Sequence, residues 1–383
     1  MRLTKPFSNF FNSEQSGGLL LIACTALSLL LANSSIGESY RHTWETMLAG
    51  QSVEYWINDG LMTVFFLLIG LELKREILKG ELSKLQNALL PVFAATGGML
   101  LPAGLYLLLN HGTATQSGAG IPMATDIAFA LAVLSILGKR VPPALKVFLT
   151  ALAVIDDLGA ILIIAFFYSK GILWINLLAA LGIWGILLLL NRFKINSLVP
   201  YLTGGIIMWW LMLHSGVHAT ITGVLLAFAI PFHNGSERSA SYILQQWLHK
   251  PVALIILPLF ALANTAIGIE GDISLLAQQS YSQGIALGLI IGKPLGIFML
   301  TFLAVKCGIC RLTPELNWKM IAGTGCLGGI GFTMSIFIAL LAFDDAHIIN
   351  LVKLTILLSS LIAAAIGYIW LHLLLNRNKK IRH

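Results

Sequence analysis

Two adjacent carboxylates, Asp156 and Asp157, sit in Ala153-Val-Ile-Asp-Asp-Leu-Gly-Ala160, within a stretch that is otherwise apolar from about Val147 to Phe167. A helix that crosses a bilayer needs ~20 apolar residues, so the pair falls near the middle of a membrane span. An ionisable group at that depth costs roughly 2.5–3.5 kcal/mol on insertion scales. No membrane helix needs that cost to fold, so the pair reads as a site. Two other charges reach similar depth: Asp126 in Ile121-Pro-Met-Ala-Thr125-Asp126, and Lys293 in Ile290-Ile-Gly-Lys293-Pro294. Lys293 lies about eleven residues into its span, which at ~1.5 Å per residue is roughly 16 Å, half of a ~30 Å hydrocarbon core. Successive residues on a helix point about 100° apart, so Asp156 and Asp157 cannot both face one partner. One can line a cavity while the other pairs with Lys293, and the set would titrate as coupled groups. Carboxylate and hydroxyl oxygens also suit a hard cation such as Na⁺ or Li⁺. A site that takes protons or a cation, but not both, is an exchanger.

The rest of the chain must hold these groups in a membrane. It is 57% hydrophobic and 11% charged, against about 25% charged in a soluble domain. The expectation is an all-α membrane protein, a single polytopic transporter domain over residues 1–383 with about twelve spans. These run 17–33, 57–79, 88–109, 119–137, 143–168, 172–191, 198–214, 216–232, 246–267, 282–305, 318–342 and 347–375. The first has the charge flank of a signal peptide but is longer than a usual apolar core, so it reads as an uncleaved helix. Pro6–Gln15, with Phe7, Phe10 and Phe11, reads as a short interfacial helix or a tail.

Two spans carry breaks. Pro122 precedes the polar pair Thr125-Asp126 in the fourth, and Pro has no N–H to donate. Glycines 323, 325, 328, 329 and 331 crowd the eleventh, each weakening a helix by up to ~1 kcal/mol relative to Ala. Close packing through small residues is the competing reading. The two interrupted spans occupy matching places in the triplets 3–5 and 10–12, which enter the membrane from opposite sides. That is the pattern of an inverted repeat, with its binding site between discontinuous helices. Where two half-helix ends of like sign meet, each is worth about half a charge. Asp126 could offset two N-terminal ends, and Lys293 two C-terminal ends.

Charge sets the orientation. Of the 24 Lys and Arg residues, all but Arg41, Lys170, Lys293 and Lys353 fall in the tails and the even-to-odd connections. By the positive-inside rule both termini are cytosolic. Glu38, Glu45, Glu54, Glu270, Asp272, Asp344 and Asp345 fall outside. The net charge of +7 therefore follows from topology and suggests no nucleic acid.

The segments quoted above closely resemble the NhaA-type sodium/proton antiporters of bacterial inner membranes. Ala124-Thr-Asp-Ile-Ala-Phe-Ala130, Ala153–Ala160, Ser215-Gly-Val-His-Ala-Thr220, Leu257-Pro-Leu-Phe-Ala-Leu-Ala-Asn264, Ile291-Gly-Lys-Pro-Leu-Gly296 and Gly328-Gly-Ile-Gly-Phe-Thr-Met-Ser-Ile-Phe337 match. Trp56-Ile-Asn-Asp59 and Gly70-Leu-Glu-Leu-Lys-Arg-Glu76 match as well. The resemblance covers nearly the whole chain. It implies crossed, broken fourth and eleventh helices, alternating access, and electrogenic export of Na⁺ or Li⁺ against inward H⁺. By carry-over, Asp157 and Asp156 carry cation and proton, and Thr125 is a cation ligand or support. Lys293 then pairs with Asp156, and Asp126 balances the crossing. The resemblance also implies activation by rising cytosolic pH, in the service of sodium and pH homeostasis, through Glu72, Glu76, His218 and His249. Family members carry an acid followed by His at the start of the ninth helix, where this chain has Gln245-Gln246. A homodimer is a further implication, although the loop from Ser34 to Tyr55 is shorter than in members that dimerise through a β-hairpin. No bound cofactor and no enzymatic reaction are implied.

Other readings compete. His214 and His218 have zinc-ligand spacing but no nearby acid or Cys, and Cys307-Gly-Ile-Cys310 lacks a second ligand pair. Glu54 and Asp59 fit an outer vestibule or a helix cap, and Glu72 and Glu76 fit a solvated ion-pair face beside Lys74, Arg75 and Lys79. An intramembrane aspartyl hydrolase would use Asp126 with Asp156 or Asp157, but Lys293 would tie up one acid. A proton-coupled organic-anion transporter would find a carboxylate pair of the wrong sign.

Overall fold

The computed structural model describes residues 5–169, 171–233, 236–269 and 274–380. Arg2, Lys170, Glu270, Asp272 and Arg382 lie outside the described residues. Helix α1 (Lys5–Ala32) takes in Pro6–Gln15 without interruption. After α2 (Gly37–Glu45) comes a hairpin, β1 (Met47–Leu48) with β2 (Gln51–Ser52). Its two-residue turn places Ala49 and Gly50 at φ of 50° and 87°, the left-handed pair that such a hairpin requires. A single helical turn, α3 (Val53–Tyr55), and a π-helical turn at Trp56–Leu61 lead into α4 (Met62–Leu78). Then follow α5 (Leu85–Asn110), a 3₁₀ segment at Gln116–Met123, α6 (Ile127–Ile136), α7 (Pro143–Phe167), α8 (Trp174–Arg192), α9 (Val199–Leu213) and α10 (Ile221–Ala229). Helix α11 (Ala240–Pro251) passes through a π-helical turn into α12 (Leu257–Asn264), and α13 (Ser274–Gln278) follows. Helix α14 (Ser280–Leu287) passes likewise, through Gly288–Gly292, into α15 (Lys293–Lys306). The last are α16 (Trp318–Gly328), α17 (Phe332–Ala342) and α18 (Ala346–Lys380).

Helix stands at each of the twelve expected positions. Among the described residues seven helices are long and apolar enough to cross a bilayer alone, and up to nine if each sharply bent pair counts as one. The α16–α17 pair is one of these, bent by 46°. Helix α8 exposes Trp174, Ile175, Leu178 and Ile186, a face that only an apolar solvent tolerates. The chain is a multi-pass membrane protein, all-α apart from the small hairpin.

The chain forms two compact units. The first comprises residues 1–41, 85–160 and 261–383. Spans three to five and ten to twelve repeat a theme, with a broken helix between two long ones: α5, the interrupted 116–136 segment and α7, whose residues 143–160 belong to this unit, then α14–α15, the interrupted 318–342 segment and α18. Helices α5 and α15 meet backbone to backbone at Gly97 and Gly296, where a Cβ on either would overlap the other's carbonyl oxygen.

The second unit comprises residues 42–84 and 161–260. Leu187, Tyr201, Met208, Met212 and Leu226 form its core. Within it the buried Lys74 ammonium donates to the carbonyls of Ala227 (3.3 Å), Phe228 (2.8 Å) and Ile230 (2.6 Å). These are the carbonyls that the end of α10 leaves without helical donors, and a cation also suits that end of the helix dipole. Lys74→Met is expected to lower stability by about 2 kcal/mol or more, since buried acceptors lose a charged donor. The thermal midpoint of purified protein checks this, with Lys74→Arg retaining part of the loss.

Candidate functional site

The site grows out of the two helix breaks, both in the first unit. The fourth span leaves its 3₁₀ segment at Met123 and runs through Ala124, Thr125 and Asp126 before α6 begins. Ala124 (φ −78°, ψ 149°) and Asp126 (φ −86°, ψ 100°) are extended. The eleventh span breaks at Gly329-Ile330-Gly331. Extended backbone at membrane depth must find partners, and the two breaks supply them to each other. The Asp126 amide donates to the Ile330 carbonyl (2.7 Å), and the Thr125 hydroxyl donates to the Gly328 carbonyl (2.8 Å). The Ser335 hydroxyl donates to the Ile121 carbonyl (2.7 Å).

The Asp126 carboxylate then serves two helix starts. Its Oδ1 accepts from the Phe129 amide (2.9 Å) in the first turn of α6. Its Oδ2 accepts from the Thr333 amide (3.1 Å) and hydroxyl (2.6 Å) in the first turn of α17. One negative charge thus faces two N-terminal ends worth about half a positive charge each.

Lys293 is fully buried and donates to Asp156 Oδ2 at 2.6 Å and to the Met123 carbonyl. It therefore reaches one of the two C-terminal ends. The carbonyl at the end of α16, Gly328, is bonded by the Thr125 hydroxyl. Thr125 spends its only proton on that bond, and its oxygen keeps lone pairs for another partner.

The two acids of α7 differ sharply. Asp156 is anchored by Lys293, while Asp157, also buried, has no hydrogen-bond partner on either oxygen. Asp156 Oδ1 is unpartnered as well. Buried carboxylate oxygens are almost always bonded, and an unpaired buried charge is costly. Three such oxygens on consecutive residues are a ready ligand set for a small hard cation or for protons.

The four residues expected to sense pH are not gathered in one place. In the second unit, Glu72 and His249 are both buried and face each other, Nε2 to Oε1, at 3.6 Å. Burial overturns the solvated-face reading for Glu72. Glu76 lies one turn on and is half-buried. His218 stands apart, its Nε2 3.1 Å from the Tyr168 carbonyl. It precedes α10, whereas Lys74 of the Glu72 segment grips the far end of that helix. The zinc spacing of His214 and His218 is not realised, since His214 turns its Nδ1 to its own helix at the Trp210 carbonyl (2.8 Å). Cys307 and Cys310 are free thiols.

Sequence reasoning missed Thr333 as the partner of Asp126 and Lys74 as a helix cap. The signal for Thr333 was its place just after the Gly329-Ile-Gly331 break, where a first-turn hydroxyl and amide lack helical partners.

Known proteins resemble this chain along nearly its whole length. The family model described as Na⁺/H⁺ antiporter 1 matches residues 8–371. The Na⁺/H⁺ antiporter NhaA of Flavobacterium psychrophilum is 68% identical over 368 residues, covering 96% of each chain. That of Dechloromonas aromatica is 58% identical over 376 residues, 97% of this chain and 96% of its own. That of Vibrio campbellii is 48% identical over 368 residues, 95% of this chain and 94% of its own. Matches of this extent and identity leave one assignment: the chain belongs to the Na⁺/H⁺ antiporter 1 family.

Proposed function

We propose that this protein exports Na⁺ or Li⁺ from the bacterial cytosol in exchange for inward H⁺, across the inner membrane, with both termini cytosolic. The observation that carries the reading is the inequality of the two acids: Asp156 held by Lys293, and Asp157 with both oxygens open. A cation entering between them meets up to three carboxylate oxygens and the Thr125 oxygen. Protons must leave those oxygens first, so the two ligands compete for one site. A single monovalent cation exchanged for more than one proton moves net charge, which makes the exchange electrogenic. The breaks at 124–126 and 329–331 let half-helices shift while Asp126 holds the crossing, which supports alternating access. The buried approach of Glu72 and His249 supports a role for the pair in the response to cytosolic pH, and Glu72→Gln is expected to move the pH at half-maximal exchange. Unchanged pH dependence in that variant would remove the pair from regulation.

The test is proton movement in inside-out vesicles or proteoliposomes when Na⁺, Li⁺ or K⁺ is added, from about pH 6.5 to 8.5. Proton release driven by Na⁺ or Li⁺, rising with pH and sensitive to membrane potential, is the expected result. No cation response from folded protein at any pH would overturn the reading.

A further inference from the structure

The lysine of the site follows directly on a π-helical turn, and that turn touches both helix breaks. At Gly288–Gly292 the chain between α14 and α15 takes one residue more per turn than an α-helix, and the Lys293 amide donates to the Gly288 carbonyl five residues back. Such turns interrupt a helix at a cost and gather at functional positions. Its cause is local. Pro294 has no N–H and its ring crowds the preceding turn. In the register of the turn, Pro294 also leaves the Leu289 carbonyl without its donor.

That carbonyl lies against Gly329, at the break of the eleventh span, so closely that a Cβ on Gly329 would overlap it. The buried Leu289 side chain covers Gly331 of the same break. On the other side, a Cβ on Gly288 would stand 2.6 Å from Cβ of Pro122, next to the break of the fourth span. One step beyond the turn, Lys293 donates to the Met123 carbonyl at that break and to Asp156. Three independent contacts thus key one irregular turn to both interrupted helices.

We propose that the π-helical turn Gly288–Gly292 is the device that positions Lys293 against Asp156, with Gly329, Gly288 and Pro294 as positioning residues. The inference rests on the reading of Lys293 and Asp156 as part of the transport site. Relaxing the turn to an α-helix rotates Lys293 by about 100° relative to α14, which takes its ammonium away from Asp156. Movement of either half-helix break would pass through the same turn, so the lysine reports on both.

The test is a double-mutant cycle of Asp156→Asn and Lys293→Gln, read as thermal midpoints of the purified full-length protein. In the wild type the two changes are strongly non-additive, because the groups are in contact. Pro294→Ala returns the missing donor and permits the α register; Gly329→Ala pushes on the Leu289 carbonyl. In each of these backgrounds the non-additivity is expected to fall by about half or more. Gly323→Ala, on α16 but packed on the side chains of Trp370 and Leu371, retains it. Full wild-type coupling in Pro294→Ala overturns the proposal. So does equal loss in Gly323→Ala. Exchange by the wild type is measured alongside: its absence would refute the transport reading and leave the coupling result standing.

Discussion

Asp157→Asn is expected to reduce Na⁺- and Li⁺-driven proton movement to the level of empty liposomes while leaving the thermal midpoint unchanged or raised. The two halves of that expectation come from one fact: neither Asp157 oxygen has a hydrogen-bond partner. The amide is nearly isosteric, so packing around a fully enclosed side chain is kept. No native bond is broken, and a costly buried charge is removed. The folded state therefore loses no hydrogen bond. The site, in contrast, loses one of its two charged ligand groups and one proton-binding group together. Asp156→Asn is expected to behave differently. It strands the Lys293 ammonium in an enclosed site, and breaking one side of a buried pair costs about 3–5 kcal/mol. Wild-type exchange in Asp157→Asn, or equal destabilisation by the two substitutions, would mean the acids are not divided into an anchored and a ligating one. Reconstituted proton flux and thermal unfolding in detergent supply both readings on one preparation.

The parts of this site that are written in residue type and spacing were legible in the sequence. Charges in apolar runs named Asp126, Asp156, Asp157 and Lys293, and depth from the span ends placed them together. Pro122 and the glycines 328, 329 and 331 marked the interruptions, because Pro removes a donor and Gly loosens a helix wherever they stand. What was not legible depends on backbone atoms or on partners far away in the chain. The Thr125 bond to Gly328 and the Thr333 bond to Asp126 span 203 and 207 residues. Any threonine has a hydroxyl to offer, so type alone does not say where it goes. Lys74 read as one of a basic cluster, and only the fold shows it turned inward onto three carbonyls. The π-helical turn before Lys293 leaves no trace in an apolar periodicity, since its cause is a single proline and its consequence is a carbonyl.

Asp126→Ala is the substitution expected to damage folding most. Its carboxylate takes three donors, from Phe129 and twice from Thr333, all enclosed in the first unit. Capping one helix start is worth about 1 kcal/mol, and each buried donor left unsatisfied costs about 1–3 kcal/mol. The positive ends of α6 and α17 would also face each other with no negative charge between them. Together these give a loss of roughly 3–6 kcal/mol, against a total stability of about 5–15 kcal/mol for an ordinary domain. Little folded protein is therefore expected for Asp126→Ala. Asp126→Asn keeps one accepting oxygen but turns an NH₂ toward donors, so an intermediate loss is expected. Thr333→Val removes the hydroxyl bond and leaves both amide bonds, and should cost about 1 kcal/mol. Thermal midpoints in the order Thr333→Val, Asp126→Asn, Asp126→Ala, from highest to lowest, carry the argument. An Asp126→Ala protein that unfolds at the wild-type temperature would mean that the opposed helix starts need no counter-charge. The crossing would then be held by the Thr125 and Ser335 hydroxyl bonds and the Asp126 amide bond.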